Sequence, residues 1–134
     1  MINRYKISMS DSYKKFYETD LWQDAFNLQK EVFNITKNFS SSEIHGLISQ
    51  INRSTNSVCA NIAESHGRYH FADKVRVLYI SRGEIEETQS HLIVSNSRNL
   101  ISKELLKDII NKYENLKMKL NKYISTLMNS KNQS

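Results

Sequence analysis

The sequence predicts an all-α fold, an antiparallel up-down-up-down four-helix bundle. The 134 residues include no proline and only three glycines, so few positions interrupt a helix. Apolar residues recur at spacings of three and four along four segments, which is the period of a helix with one buried face, and no segment alternates like a strand. We expect one bundle domain at residues 16–130, an N-terminal extension at 1–15 and a disordered tail at 131–134.

Turn-forming residues divide the chain into four predicted helices at 19–38, 40–67, 71–96 and 102–128. Thr19 can cap the first helix, the serines at 40–42 can start the second, and Gly67 can end it. Each helix carries one apolar stripe that faces the predicted core. The stripes are Leu21, Ala25, Leu28, Val32, Ile35 and Phe39; Ile44, Leu47, Ile51, Val58 and Ile62; Phe71, Val75, Leu78, Ile85 and Leu92; and Leu105, Ile109, Leu116, Leu120, Tyr123 and Leu127.

The second helix is unusual because small and polar residues surround its apolar stripe, among them Ser54, Asn56 and Ser57. These are weak helix formers, so we expect them to specify a contact. Antiparallel pairing of helices two and three around a turn near residue 69 sets Arg53 opposite an acidic group and Glu64 near Lys74. The predicted structural polar network, which would fix helix register, is Arg53, Asn61, Glu64, Glu84, Glu86 and Glu87. Binding of phosphate by Arg53 is the alternative.

Helices one and four each carry a second apolar stripe beside the first. These stripes are Trp22, Phe26 and Phe33 on helix one, and Leu106, Ile110, Tyr113 and Ile124 on helix four. Either the two helices have broad core faces, or neighbouring subunits cover the extra surface. The second interpretation predicts a homo-oligomer whose interface contains Trp22, Phe26, Phe33, Leu106, Ile110 and Tyr113.

Basic and aromatic residues concentrate in the turn between helices two and three. The formal net charge of +5 permits a nucleic-acid partner without requiring one. Cations contact phosphates and aromatic rings stack on unpaired bases, whereas an ordinary solvated turn is the alternative. The candidate residues for binding RNA or DNA are Arg68, Tyr69, His70, Lys74 and Arg76. Helix four adds a second basic face of Lys103, Lys107, Lys112, Lys117, Lys119 and Lys122.

Motifs of catalysis and of metal binding are missing from the sequence. It has no glycine-rich phosphate loop, no nucleophile motif and no set of Glu-x-x-His pairs. The single cysteine, Cys59, fits a reducing compartment, and no apolar run is long enough to span a membrane. We therefore expect a cytoplasmic protein that is not an enzyme and uses no cofactor or metal, without a signal peptide.

Several short motifs follow one another along the chain. They are Leu21-Trp22-Gln23-x-Ala25, Glu43-Ile44-His45-Gly46-Leu47, Gln50-x-x-Arg53, Asn61-Ile62-Ala63-Glu64, Gly67-Arg68 and Ser81-Arg82-Gly83-Glu84-Ile85-x-Glu87. In this order they resemble the 23S rRNA intervening-sequence family over about residues 16–128. Two positions depart from the family pattern, since Ser65 replaces a common glycine and Ser40-Ser41 stand where proline is usual.

The resemblance implies a bacterial four-helix-bundle protein. Distantly similar accessory proteins of diversity-generating retroelements form basic pentameric barrels that bind nucleic acid and a reverse transcriptase, so a pentamer is the implied assembly. From the basic turn and this resemblance we expect a non-enzymatic, oligomeric nucleic-acid-binding protein, with RNA as the favoured ligand. The alternative is a structural or adaptor oligomer that binds a protein partner such as a reverse transcriptase.

Overall fold

The computed structural model describes residues 14–133, with side chains to residue 130. Within this range the chain forms four α-helices and no strand, as the sequence predicts. The helices are α1 (Asp20–Thr36), α2 (Ser49–Gly67), α3 (Phe71–Ser97) and α4 (Lys103–Gln133). A 3-10 turn, Phe16–Glu18, precedes α1. The predicted extension at 1–15 falls mostly outside the described residues, and α4 continues past Met128, where the prediction ended it.

Side-chain and backbone hydrogen bonds define the helix ends. The Thr19 hydroxyl accepts from the Trp22 amide at 3.3 Å, which confirms the predicted cap of α1. At the end of α3, Asn99 adopts a left-handed conformation with φ of 60°. The amides of Asn99 and Leu100 then donate to the carbonyls of Asn96 and Ser95, each at 3.0 Å. This Schellman arrangement closes the predicted turn at 96–99.

The entry to α2 differs from the prediction of a continuous helix at 40–67. The segment first forms a 3-10 turn, Ser41–Glu43, and then a π-type turn, Ile44–Ile48. Gly46 leaves helical geometry at φ −117° and ψ −109°, and α2 begins only at Ser49. Glycine leaves helical angles at little cost because it has no side chain to clash. As a result Ile44, predicted in the core stripe, is 49% exposed.

The predicted apolar stripes otherwise meet in one core. Every remaining stripe residue is either buried or packed against the buried cluster. Tyr113, placed in a subunit interface by the sequence prediction, is 0% exposed inside the chain, and its hydroxyl bonds to that of Thr55. That assignment is wrong, because position 113 shares a helix face with Ile109 and Leu116. Ile124 is also buried, so α4 has a broad core face over this stretch.

The most extensive interhelical contact joins α2 to α3. Hydrogen bonds of buried hydroxyl groups cross this contact. As the residue numbers of the bonded positions increase along α2, those of their partners on α3 decrease, so the two helices are antiparallel. The bonds are Ser54 Oγ with Thr88 Oγ1 (2.7 Å), Ser81 Oγ to Val58 O (2.9 Å) and Ser65 Oγ to Lys74 O (2.8 Å). Small side chains here let the helix backbones approach closely, which explains the polar composition of α2.

Opposite numerical order of the bonded partners also marks two other helix contacts. Between α3 and α4 the partners are Arg82 with Asn121, Glu86 with Lys117 and Gln89 with Glu114. Between α1 and α4 they are Asp24 with Lys119 and Glu31 with Lys112. These contacts are compatible with the predicted up-down-up-down arrangement.

Enlarging Ser81 should separate α2 from α3. We expect Ser81→Leu to lower the free energy of unfolding by about 1–3 kcal/mol, because the added side chain overfills a packed contact and removes the bond to Val58. Ser90→Leu is the matched control, since Ser90 is exposed on the same helix. Urea denaturation of both variants measures the difference. Equal stability of the two would show that the contact tolerates a large residue.

Candidate nucleic-acid interface

The turn between α2 and α3 places the candidate binding residues at one end of the bundle. The chain crosses between the helices in three residues, with Arg68 in extended geometry after α2 and His70 in extended geometry before α3. Tyr69 stands between them with 90% of its surface exposed. Its ring meets the His70 ring edge-on, with centroids 5.0 Å apart. The turn therefore presents an aromatic surface to solvent.

Lys74 does not take part in this exposed surface, contrary to the prediction. Its ammonium donates to the carbonyls of His66 at 2.8 Å and Ser65 at 3.3 Å. Partial burial lowers the pKa of Lys74 below its ordinary value. A cation at these last carbonyls also interacts favourably with the helix dipole. Lys74 thus stabilises the end of α2, and its ammonium is less available to a phosphate than an exposed side chain would be.

The two arginines of the candidate site differ in their availability. Arg68 bonds to Glu64, one turn earlier on α2, at 2.5 Å, and this hydrogen bond and the carboxylate charge raise the pKa of Arg68. Both side chains remain about half exposed, so the pair is open to competition from a ligand. Arg76 is exposed on α3 and forms no ion pair with any residue in 14–130. Arg76 is therefore better placed than Arg68 or Lys74 to contact a phosphate.

The predicted lysine face of α4 is partly neutralised. Lys112 pairs with Glu31 of α1 at 2.8 Å, and Lys117 pairs with Glu86 of α3 at 2.6 Å. Lys119 contacts Asp24 of α1. The remaining three, Lys103, Lys107 and Lys122, are exposed and have no acidic partner among the side chains that the structure describes. Half of the face therefore holds helices together, which lowers the positive field that it offers.

The predicted polar network forms around Arg53 but is smaller than expected. Its guanidinium lies 3.4 Å from Glu84 and also contacts Glu87, which confirms the predicted register of α2 against α3. Burial and the charge of Arg53 lower the pKa of the neighbouring His91. The guanidinium is half exposed, so its main effect is on register rather than on stability.

Three predicted members lie outside this network. Asn61 donates to the Ser57 carbonyl of its own helix at 2.8 Å. Glu64 pairs with Arg68, and Glu86 pairs with Lys117 on α4. Each of these three residues contacts a partner that is nearer to it than Arg53. The numerical alignment of α2 with α3 did not take those nearer partners into account.

The second apolar stripe of α1 is partly covered within the chain. Trp22 and Phe26 stack with ring centroids 4.9 Å apart and pack against the core. Phe33 remains 44% exposed, with the Lys37 ammonium 4.8 Å from its ring centroid. Leu106 and Ile110 on α4 are half-buried. Of the predicted interface residues, Phe33 thus has the largest exposed fraction.

A cleft of about 400 Å³ opens at the same end of the bundle as the turn. The start of α1, the last turn of α2 and the second half of α4 line it, with Lys122 and His66 among the lining residues. Sequence analysis missed this cleft because its residues come from three helices and share no local pattern. Tyr123, for example, was assigned only to the core stripe, although it also lines the cleft.

Metal-ligating side-chain types are dispersed among the described residues, and the one described thiol is buried. Across residues 14–130, histidine, cysteine and acidic side chains form no group of three or more placed to hold a metal ion. Burial raises the pKa of the Cys59 thiol to about 12, so this thiol is protonated and packed at neutral pH. In the described part of the chain, no helix combines the length and apolar character needed to cross a membrane.

Comparison with known proteins places the fold and the family. A crystal structure of a protein with unknown function from the S23 ribosomal protein family of Bacteroides thetaiotaomicron VPI-5482 superposes with a TM-score of 0.68. The two sequences are 22% identical, and the match covers 78% of this chain and 97% of that chain, so the likeness supports the fold alone.

No curated protein matches the chain. Residues 17–122, which span all of α1 to α3 and most of α4, match the sequence profile described as 23S rRNA-intervening sequence protein. The chain therefore belongs to the 23S rRNA-intervening sequence protein family.

Proposed function

We propose that this protein is a non-enzymatic, oligomeric RNA-binding protein. On an up-down-up-down bundle, the α2–α3 turn would contact unpaired nucleotides. The observation that carries the proposal is Tyr69, whose ring is 90% exposed between Arg68 and His70. Unpaired bases stack on such rings, and neighbouring cations contact the phosphates. The name of the family supports RNA over DNA as the ligand.

Charge arithmetic favours binding by an oligomer over binding by a single chain. Near the turn, Arg76 has no acidic partner among the described side chains, and Arg68 shares its charge with Glu64. So few phosphate contacts give weak affinity at physiological salt. Repetition of the turn around an oligomer would multiply the contacts on one strand and raise the effective affinity.

A protein-binding adaptor is the second candidate, with a partner such as a reverse transcriptase. Two observations favour it. Ion pairs occupy half of the lysine face of α4. In addition, α3 exposes large apolar residues outside the core, namely Tyr79, Ile80 and Ile93. An apolar protein interface would tolerate salt, whereas RNA binding through phosphates would weaken as salt rises.

Removal of the Tyr69 ring should weaken RNA binding. Because base stacking is worth roughly 1–3 kcal/mol per base, we expect Tyr69→Ala to reduce affinity for a labelled single-stranded RNA by roughly 5- to 150-fold. Tyr79→Ala is the control, since Tyr79 is exposed on the middle of α3 and carries the Arg82 guanidinium on its ring at 4.6 Å. Fluorescence anisotropy at low salt gives both affinities. Equal affinities would remove Tyr69 from the site, and absence of binding by the unchanged protein would favour the adaptor.

Substitutions of Lys74 and Arg76 should show that the first cation stabilises the fold and that the second binds phosphate. We expect Lys74→Met to lower the free energy of unfolding by about 1–2 kcal/mol, because two carbonyls at the end of α2 lose a charged donor. Arg76→Met should leave stability unchanged and reduce the slope of log affinity against log salt by about 0.7 for each lost phosphate contact. Urea denaturation and salt-dependent anisotropy test the pair. The reverse pattern would assign phosphate binding to Lys74.

Phe33 provides a test of the oligomer. We expect light scattering to give a mass several times the 15.7 kDa of the chain, with five copies the number implied by the resemblance. Phe33→Asp should shift the mass toward one chain, because a carboxylate would be buried at the predicted interface. Ile93→Asp is the matched control on α3, outside that interface. A single-chain mass for the unchanged protein at micromolar concentration would refute the oligomer.

A further inference from the structure

The cleft at the α2–α3 end has the composition of a site for a small anionic ligand. Its volume of about 400 Å³ falls in the range of small-molecule pockets. Apolar groups of Leu21, Ile62 and Tyr123 form one part of the lining. Three lysines and one aspartate also line the cleft, namely Lys14, Lys119, Lys122 and Asp20. A ligand with a flat apolar part and a negative charge fits this combination.

The three lysines that line the cleft differ in how available their ammonium groups are to a phosphate. Lys119 contacts Asp24 on α1, and its charge is thereby largely compensated. Lys122 is exposed and has no acidic partner among residues 14–130. Lys14, at the start of the described chain, is also exposed, and its carbonyl lies 2.8 Å from the His66 ring nitrogen Nε2. Lys122 and Lys14 are therefore the candidate phosphate contacts.

Polar recognition in the cleft falls mainly to Asp20. The two threonine hydroxyls of the lining are already engaged, since Thr19 donates to the Phe16 carbonyl at 2.6 Å and Thr126 donates to the Lys122 carbonyl at 3.1 Å. The Asp20 carboxylate is exposed at the first position of α1 and makes no close ion pair with a described residue, although its charge, after that of Asp24, helps to raise the pKa of Lys119. It can accept hydrogen bonds from ribose hydroxyls or from the amino groups of a base.

We propose that this cleft binds one nucleoside 5′-phosphate unit. The base would lie against Leu21, Ile62 and Tyr123, the phosphate would contact Lys122 and Lys14, and Asp20 would accept from the sugar or base. This inference rests on the proposed function to the extent that the unit is an unpaired nucleotide of the RNA strand.

Chain geometry supports a link between the cleft and the exposed turn. His66 lines the cleft, and Tyr69 follows it by three residues, so their Cα atoms lie at most about 11 Å apart. One strand can therefore place a base on Tyr69 and a nearby nucleotide in the cleft. This arrangement would give the bundle end two adjacent sites for bases, one open and one recessed.

Two variants that each remove one positive charge test whether the cleft contributes to RNA binding. Lys122→Met removes a cation from the lining, and Lys107→Met removes an exposed lysine without an acidic partner among residues 14–130, from α4 outside the cleft. For labelled single-stranded RNA, we expect Lys122→Met to reduce affinity at least threefold more than Lys107→Met does. Equal losses would overturn the assignment of a bound nucleotide to the cleft. If Tyr69→Ala still weakened binding in that case, the proposed RNA function would stand without the cleft.

A free mononucleotide distinguishes the source of the ligand. In amide NMR spectra of the full chain, adenosine 5′-monophosphate at millimolar concentration should shift the signals of Leu21, Ile62 and Tyr123, and Lys122→Met should reduce those shifts. Shifts at the cleft without any binding of RNA would support the nucleotide site and overturn the RNA function. Absence of shifts at the cleft would overturn the site.

Discussion

The packing of α2 against α3 through buried hydroxyl groups determines where the candidate functional side chains lie. Ser54 and Thr88 bond at 2.7 Å with both side chains completely buried, and Ser81 donates to the Val58 carbonyl across the same contact. Hydrogen bonds are directional, so they restrict sliding of one helix along the other more strongly than apolar contacts do. A shift of one turn would break these interhelical bonds, and Ser54 and Thr88 would keep only the carbonyl partners in their own helices, Ile51 and Glu84. Register is therefore a property of small polar residues in this bundle.

Both ends of the α2–α3 pair depend on this register. Toward the start of α2 it brings Arg53 to Glu84 and Glu87. Toward the end of α2 it places Lys74 over the last carbonyls of the helix. Arg68 and His70 are extended in the turn beside it, and Tyr69 between them is exposed. Charged side chains on α4 also position the helices, because Lys112 and Lys119 form ion pairs that join α4 to α1. Cations that hold the bundle together are thus distinct from those that remain available at its surface.

The sequence predicted features that depend on one helix or on the alignment of two helices around a short turn. Periodicity identified the four helices and nearly all of their core residues, and the spacing around the turn aligned Arg53 with its acidic partners. Predictions failed where a side chain has a specific partner on another helix. Lys74 was expected at the surface with the basic turn, but its ammonium donates to carbonyls of α2. Tyr113 was expected at an interface with the second apolar stripe, but its hydroxyl bonds to Thr55 on α2 in the core. Residues from α1, α2 and α4 line the cleft together, so no local sequence pattern predicted it.

The buried position of Cys59 gives the bundle a chemical reporter of its own motions. It is the one cysteine of the chain, and it lies one turn after Thr55, toward Tyr113 of α4. A reagent that alkylates thiolates can reach this sulfur only when the middle of α2 separates from its neighbours. The rate of labelling would therefore report how often such openings occur, with no need for an engineered cysteine. Comparison of the labelling rate with and without a bound ligand would show whether a ligand at the end of the bundle makes opening at the centre of α2 less frequent.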